Sequence, residues 1–291
     1  MKNILNYYYG IIVDNIDNNG YFSYNNHLFC LYQYHRNIGE INSLVILNNY
    51  MITNGVHVNK IILNNLNQAI TYFENKNYVL LLINYSYKDG FFNFVLAPIN
   101  KNLTILNRND WAYLWSVKVD YIEYQIRHIE NNYPLLNESV NYYIGLSENA
   151  ISYFKMLFLD KVPLFINHRR INKDDLYNPL ELVIDYKVRD IGEYIKYTFF
   201  KKEKSVYDIK RLLNSINLNS IDYYLLYDRL LFPSYYFDVY ERIINNDLNE
   251  DKIKVYIDMV SEYEELLYEI YVFLKRKINI MGIEWINVKY V

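Results

Sequence analysis

Of the chain's 291 residues, 52% are apolar and 18% aromatic, with eight glycines and five prolines, which excludes a disordered polar chain and predicts a buried core. Thirty basic residues against 33 acidic ones give a formal charge of −3. No surplus of positive charge is left to grip a phosphate backbone or an anionic bilayer, so neither nucleic acid nor membrane is an expected partner.

The single cysteine, Cys30, excludes an internal disulfide and a thiolate zinc site, which fits a reducing compartment. The opening residues 1–6 lack the apolar core of a signal peptide, and the longest clean apolar run, residues 78–83, falls far short of the ~20 needed to cross a bilayer. A cytoplasmic protein is expected. The 35 tyrosines and the many asparagines are residues that AT-rich codons supply, so their abundance carries no functional weight.

The first third reads as sheet. Residues 11–13 are expected as a strand leading into Asn18-Asn19-Gly20, residue types that tolerate positive φ, and residues 21–24 return. Asn25-Asn26 turns the chain again into residues 27–34, giving a three-stranded meander. Ile41, Leu44, Val45, Leu47, Met51 and Ile52 then recur at helical spacing, with Gly55 suited to the left-handed end of that helix. Two further strand regions follow, residues 60–63 with 69–73, and residues 78–85, parted by a turn at 74–77.

After about residue 108 the period becomes 3.6. Trp111, Leu114, Trp115, Val119, Ile122 and Ile126 mark a long amphipathic helix, with Asn109 or Asp110 as its cap. Residues 139–158 form a second helix, Ser205 and Asp208 a capping box for a third, and residues 220–232 a fourth stopped by Pro233. Residues 250–278 read as one last helix. Lys196, Lys201, Lys202 and Lys204 read as a solvated basic helix end. Between the helices lies an irregular polar stretch, residues 162–179, followed by an apolar strand ending at Asp185, the arrangement by which a scaffold presents a site on a loop.

Three strands, a helix and two strands, followed by a helical region with a histidine loop and a strand ending in aspartate, resemble the aminoglycoside-phosphotransferase and protein-kinase-like proteins. Residues 111–121, 142–151 and 230–238 are similar to the spore-coat branch of that group, the CotS and YutH type. The resemblance implies an α+β, bilobal kinase-like fold. Residues 1–88 would form a small lobe with a five-stranded antiparallel sheet and one helix, and residues 89–291 a larger helical lobe. It also implies a role in spore coat assembly with a protein partner.

Phosphoryl transfer needs a phosphate cradle, a cation on the phosphates, metal ligands and a carboxylate near the acceptor. The turn at 17–20 is a poor cradle, and residues 28–34 carry no lysine; Gln33, the only polar group there apart from tyrosine hydroxyls, is the candidate cofactor contact. Glu40 therefore has no lysine partner. In the family the loop histidine precedes the catalytic aspartate by two residues, whereas here His168 is followed by Arg169 and Arg170, and a guanidinium cannot accept a proton. Asp175 stands at the expected metal-binding asparagine, with Asn178 as another cofactor contact, and Asp185 matches the family's second metal ligand. Asp174 or Asp175 is the candidate replacement base.

Two readings follow. One is a catalytically degenerate binding or structural protein that needs no cofactor; the other is a phosphotransferase using ATP and Mg2+. His168 is expected to brace its loop through backbone hydrogen bonds, and Arg169 and Arg170 to form ion pairs with Asp185, Asp190 or Glu193.

Overall fold

A helix, α1 (Lys2–Tyr9), precedes the sheet in the computed structural model, which describes residues 1–86, 98–99, 103–129, 132–173 and 175–290. Gly10 ends it at φ 64, and this left-handed residue turns the chain so that the Ile11 N–H reaches the Leu5 carbonyl at 3.0 Å. The strand expected at 11–13 is therefore absent from these described residues. The fold subdivides into two compact units, one of Met1–Asn107 with Ile166–Ile184, the other of Arg108–Phe165 with Asp185–Val291.

In the first unit, β1 (Tyr21–Tyr24) and β2 (His27–Gln33) form an antiparallel hairpin, Tyr24 opposite His27. Its turn is Asn25-Asn26, both residues at positive φ as a two-residue hairpin requires. The same device, Glu74-Asn75, joins β4 (Thr71–Phe73) to β5 (Lys76–Leu82). Asn18-Asn19-Gly20, in contrast, connects no two strands. The Asp17 carboxylate accepts from the Asn19 and Tyr21 N–H groups, and Gly20 sits where a Cβ would lie 2.5 Å from the Leu31 carbonyl oxygen. That stretch is a capped loop held under β2.

The sheet runs β1-β2-β5-β3, with β3 at Lys60–Ile62 and β4 beside β5. Ile4, Leu5 and Ile11 pack with Phe22, Leu31 and Leu80, so α1 covers one sheet face. Helix α2 (Ile41–Thr53) follows β2 and, as its spacing predicts, buries Ile41, Leu44, Leu47 and Met51, with Gly55 beyond it at φ 70. Its buried Asn48 accepts from the Ile61 N–H and donates to the Asn59 carbonyl, which fixes the start of β3. β6 (Leu164–His168) and β7 (Leu182–Tyr186) pair in a separate two-stranded sheet.

The second unit is helical. Helix α3 (Trp111–Ile129) starts where Asp110 accepts from the Tyr113 N–H, and α4 (Pro134–Lys155) packs beside it. α5 (Arg189–Phe200) follows, and then α6 (Val206–Ser215), which carries the Ser205–Asp208 capping box read from the sequence. α7 (Ser220–Leu231) is buried from Leu225 to Leu231 and packs on α4 and α5. α8 (Ser234–Ile244) follows Pro233. The expected last helix is broken at Met259 into α9 (Lys254–Asp258) and α10 (Val260–Lys275), and α11 (Glu284–Tyr290) closes the unit.

Asp228 of α7 is fully buried, and neither of its carboxyl oxygens has a hydrogen-bond partner among the described residues. Burial pushes its pKa well above the usual range, with Arg229 opposing. The folded chain thus holds a proton that the unfolded chain releases above about pH 4. Stability from this group is complete in acid and is lost as the pH rises through the folded-state value. Asp228→Asn is expected to raise stability at neutral pH by about 1–3 kcal/mol while changing it little near pH 4, measured by urea unfolding at both.

Candidate functional site

The sheet face opposite α1 opens on a cavity of about 860 Å3 in the first unit. Strand parity decides what lines it. Leu31 packs toward α1, so Leu28 and Tyr32 face the other way and meet Tyr21 of β1 there. Gln33 shares the face of Leu31 and is not among the described residues lining the cavity, whereas Tyr32 is.

The Tyr32 and Tyr21 hydroxyls lie 3.2 Å apart, and burial, reinforced by that contact, raises the Tyr32 pKa. Tyr32 is therefore a neutral hydrogen-bonding group where a phosphate-binding cation would stand. Beyond β5 the wall is set by Asn59. Its Oδ1 accepts from the N–H groups of Asn84 and Tyr85, and its own N–H donates to the Tyr177 carbonyl at 2.9 Å. Tyr85 lies 4.5 Å from the His57 ring and 5.7 Å from that of Tyr177, centre to centre.

The loop after β6 supplies Lys173, Asp175 and Asn178. Asp175 is occupied with holding the loop. Its carboxylate accepts from Asn172 Nδ2 at 2.5 Å and Asn178 Nδ2 at 3.4 Å, while its N–H donates to Asn172 Oδ1. Asn178 Oδ1 accepts from the Leu180 N–H, capping the short 3-10 turn Pro179–Glu181. Asp174 lies outside the described residues.

His168 is buried and its Nε2–H donates to the Leu176 carbonyl at 3.0 Å, the bracing role expected of it. The Arg169 N–H donates to the Glu181 carbonyl, and its guanidinium lies 3.9 Å from the Glu181 carboxylate. Arg170 donates to the Arg169 carbonyl. Glu40 is held by Arg36 four residues earlier at 2.6 Å, and the Arg36 guanidinium also donates to the Leu180 and Leu182 carbonyls.

Asp185 belongs to the second unit and is 0% exposed. Its Oδ1 accepts from the Tyr186 N–H at 2.7 Å and from Trp111 Nε1 at 2.9 Å; its Oδ2 accepts from Arg189 Nη1 at 2.6 Å. Burial raises its pKa while Arg189 and Arg229 lower it, so a paired carboxylate is kept in place by neighbouring guanidiniums. Glu193 binds Arg229 at 2.6 Å and Lys196 at 3.1 Å, all three buried. Asp185 and Glu193 thus hold cations from α5 and α7. Lys196 is an interior residue donating to Ser234 Oγ and two carbonyls, apart from the exposed Lys201 and Lys202.

A pocket for a metal-bound polyphosphate needs free anionic oxygens and cations near them. In the first unit's cavity the described lining offers Lys173 as a cation and Asp175 as a carboxylate, the latter engaged by Asn172 and Asn178, with the neutral Tyr32 on β2; Asp185, in the second unit, is fully buried. No cluster of three or more His, Cys, Asp or Glu able to hold a metal occurs among the described residues. No described helix is long and apolar enough to cross a membrane.

Among solved structures, an aminoglycoside phosphotransferase from Alicyclobacillus acidocaldarius subsp. acidocaldarius DSM 446 matches with a TM-score of 0.59 at 9% identity, covering 90% of this chain and 94% of that one. Spectinomycin phosphotransferase APH(9)-Ia in complex with ADP and spectinomycin matches with a TM-score of 0.56 at 12% identity, covering 93% and 96%. Identities this low establish the fold alone, which is aminoglycoside phosphotransferase-like. In sequence, the endospore coat-associated protein YutH of Bacillus subtilis (strain 168) is 26% identical over 207 residues, 61% of this chain and 61% of that protein's length. The family model described as "Spore coat putative kinase YutH" matches residues 2–270, and the chain belongs to that family.

Proposed function

We propose that the protein is a kinase-like module that binds without transferring phosphate, acts in spore coat assembly, and uses the tyrosine-walled cavity as its binding site. The observation that carries this reading is Asp185: the carboxylate that the resemblance places at a metal ligand is buried and filled by Trp111, Arg189 and the Tyr186 N–H. A divalent cation there would have to displace a guanidinium from a dry site, at the cost of leaving that guanidinium without its carboxylate. Arg170 in the proton-acceptor position supports the same reading, because no base is supplied by the loop residue that should act. The aromatic walls and amide rim, with Lys173 and Asp175 beside them, suit a planar polar ligand.

The test is thermal unfolding of the full chain with ATP, with and without Mg2+, alongside transfer of labelled γ-phosphate. Millimolar nucleotide is expected to leave the melting temperature unchanged and to label nothing. A ligand that binds only the folded state at 100 times its dissociation constant adds about 2.7 kcal/mol. A rise of that size requiring Mg2+, together with label on an acceptor, overturns the reading.

A further inference from the structure

Two buried amides line the cavity with donors left over. Asn59 is 7% exposed and Asn178 5%. Both partners of Asn59 Oδ1 are backbone N–H groups, those of Asn84 and Tyr85, which fixes that atom as the oxygen; Nδ2, on the other side of the amide, donates to no described residue. Asn178 is held in the same way. Its Oδ1 accepts from the Leu180 N–H, and its Nδ2 makes a single contact, 3.4 Å to Asp175 Oδ1, longer than an ordinary hydrogen bond. The Asn59 N–H donates to the carbonyl of Tyr177, the residue before Asn178, so the two amides are tied to one part of the wall. A buried donor without an acceptor costs free energy that a ligand's acceptor removes.

The acceptor that suits these donors is a carbonyl oxygen. It has two lone pairs and takes one N–H from each amide, whereas a ring nitrogen has one and leaves an amide unpaired, and an amino group sets donor against donor. Asp175, beside Asn178, can accept from a ring N–H next to that carbonyl. The described lining carries one charge of each sign, Lys173 and Asp175, and so no surplus to attract an ion. The Tyr85 ring lies against His57 at 4.5 Å and 17°, with Tyr177 on the same wall, so its orientation is set before a flat group meets it.

We propose that the cavity selects an uncharged flat heterocycle with a lactam edge, a ring carbonyl beside a ring N–H. Asn59 and Asn178 donate to the carbonyl, Asp175 accepts from the N–H, and Tyr85 and Tyr177 cover the ring. The proposal rests on the cavity being the protein's binding site and names what that site takes. Asn59 sets the choice, because its amide is buried, oriented by two backbone groups and otherwise unused. A ring with an amino group in the carbonyl's place leaves that amide without an acceptor.

Isothermal titration calorimetry of the full chain with inosine and adenosine tests it, since the two differ by a lactam edge against an amino edge on the same ring system and neither carries phosphate. Inosine is expected to bind about tenfold more tightly, the worth of one hydrogen bond to a buried donor. Asn59→Asp keeps the oxygen that holds Asn84 and Tyr85 and replaces the donor by an acceptor. Inosine then weakens by about 100-fold and the preference passes to adenosine, whose amino group the new oxygen accepts. Tyr85→Leu, at an exposed ring, weakens both nucleosides by about tenfold with the melting temperature unchanged, an independent reading if Asn59→Asp does not fold. No binding of inosine, or adenosine bound as tightly, overturns the proposal and leaves the non-catalytic reading intact. Inosine bound equally by the unaltered chain and both variants lies outside the cavity, which overturns the proposal and the cavity's role together. Phosphate transfer from ATP overturns the non-catalytic reading alone.

Discussion

Asp185→Ala is expected to lower the unfolding free energy by about 3–5 kcal/mol, read as a fall in the urea midpoint. The carboxylate sits against Arg189 at 2.6 Å and takes hydrogen bonds from Trp111 and Tyr186. Removing it strips a buried guanidinium of its short carboxylate contact and leaves the fully buried indole N–H without its acceptor. A carboxylate kept for a metal behaves differently, because its neutral replacement relieves repulsion and leaves stability intact or improved. Asp185→Leu with Arg189→Met is expected to recover part of the loss, since paired apolar groups replace a buried ion pair at little cost. Full stability in the single alanine variant would remove the ground for treating Asp185 as structural.

Glu193→Ala is expected to cost as much or more. One carboxylate oxygen serves Arg229, at 2.6 and 2.8 Å from two guanidinium nitrogens, and Lys196 at 3.1 Å. Its removal deprives two buried cations of the charge they share. Lys196 keeps the Arg229 and Phe232 carbonyls, so the greater part of the loss falls on Arg229, whose guanidinium lies 5.2 Å from the centre of the Trp111 ring. Gly192 is part of this arrangement, because a Cβ there would lie 2.8 Å from Arg229 Cγ. Loss of about 3–5 kcal/mol would leave a marginally stable domain largely unfolded, with circular dichroism as the readout and Glu193→Gln as the milder comparison.

The elements legible from the residues were those with strong local chemistry. The Asn25-Asn26 turn, the helix closed by Gly55, the Ser205–Asp208 box and the stop at Pro233 all stand where periodicity and capping place them. Helix α1 escaped notice because only Ile4 and Leu5 of its eight residues are buried, too few to show a period. Asn18-Asn19-Gly20 misled because positive φ at Gly20 answers a tertiary demand, clearance under Leu31, that a local pattern does not carry. At the site, alternation along β2 was the available signal. It separates Tyr32 from Gln33 once Leu31 is known to be core. The links of Asp185 to Trp111 and of Glu193 to Arg229 were out of reach, since they span 74 and 36 residues and only tertiary packing makes them.

The first compact unit is built from two stretches, with residues Ile166–Ile184 returning to it after 58 residues of the other unit, Arg108–Phe165. Synthesis therefore delivers the sheet long before the segment whose Leu180 and Leu182 carbonyls receive Arg36 and whose Tyr177 carbonyl receives Asn59. A nascent chain halted near residue 110 would hold the strands with Arg36 paired to Glu40 but still lacking its two carbonyl acceptors, a species open to chaperones and proteases. Excision at the unit boundary would reproduce that incomplete state permanently, so shortened forms of the sheet region should be built with the returning segment attached by a linker.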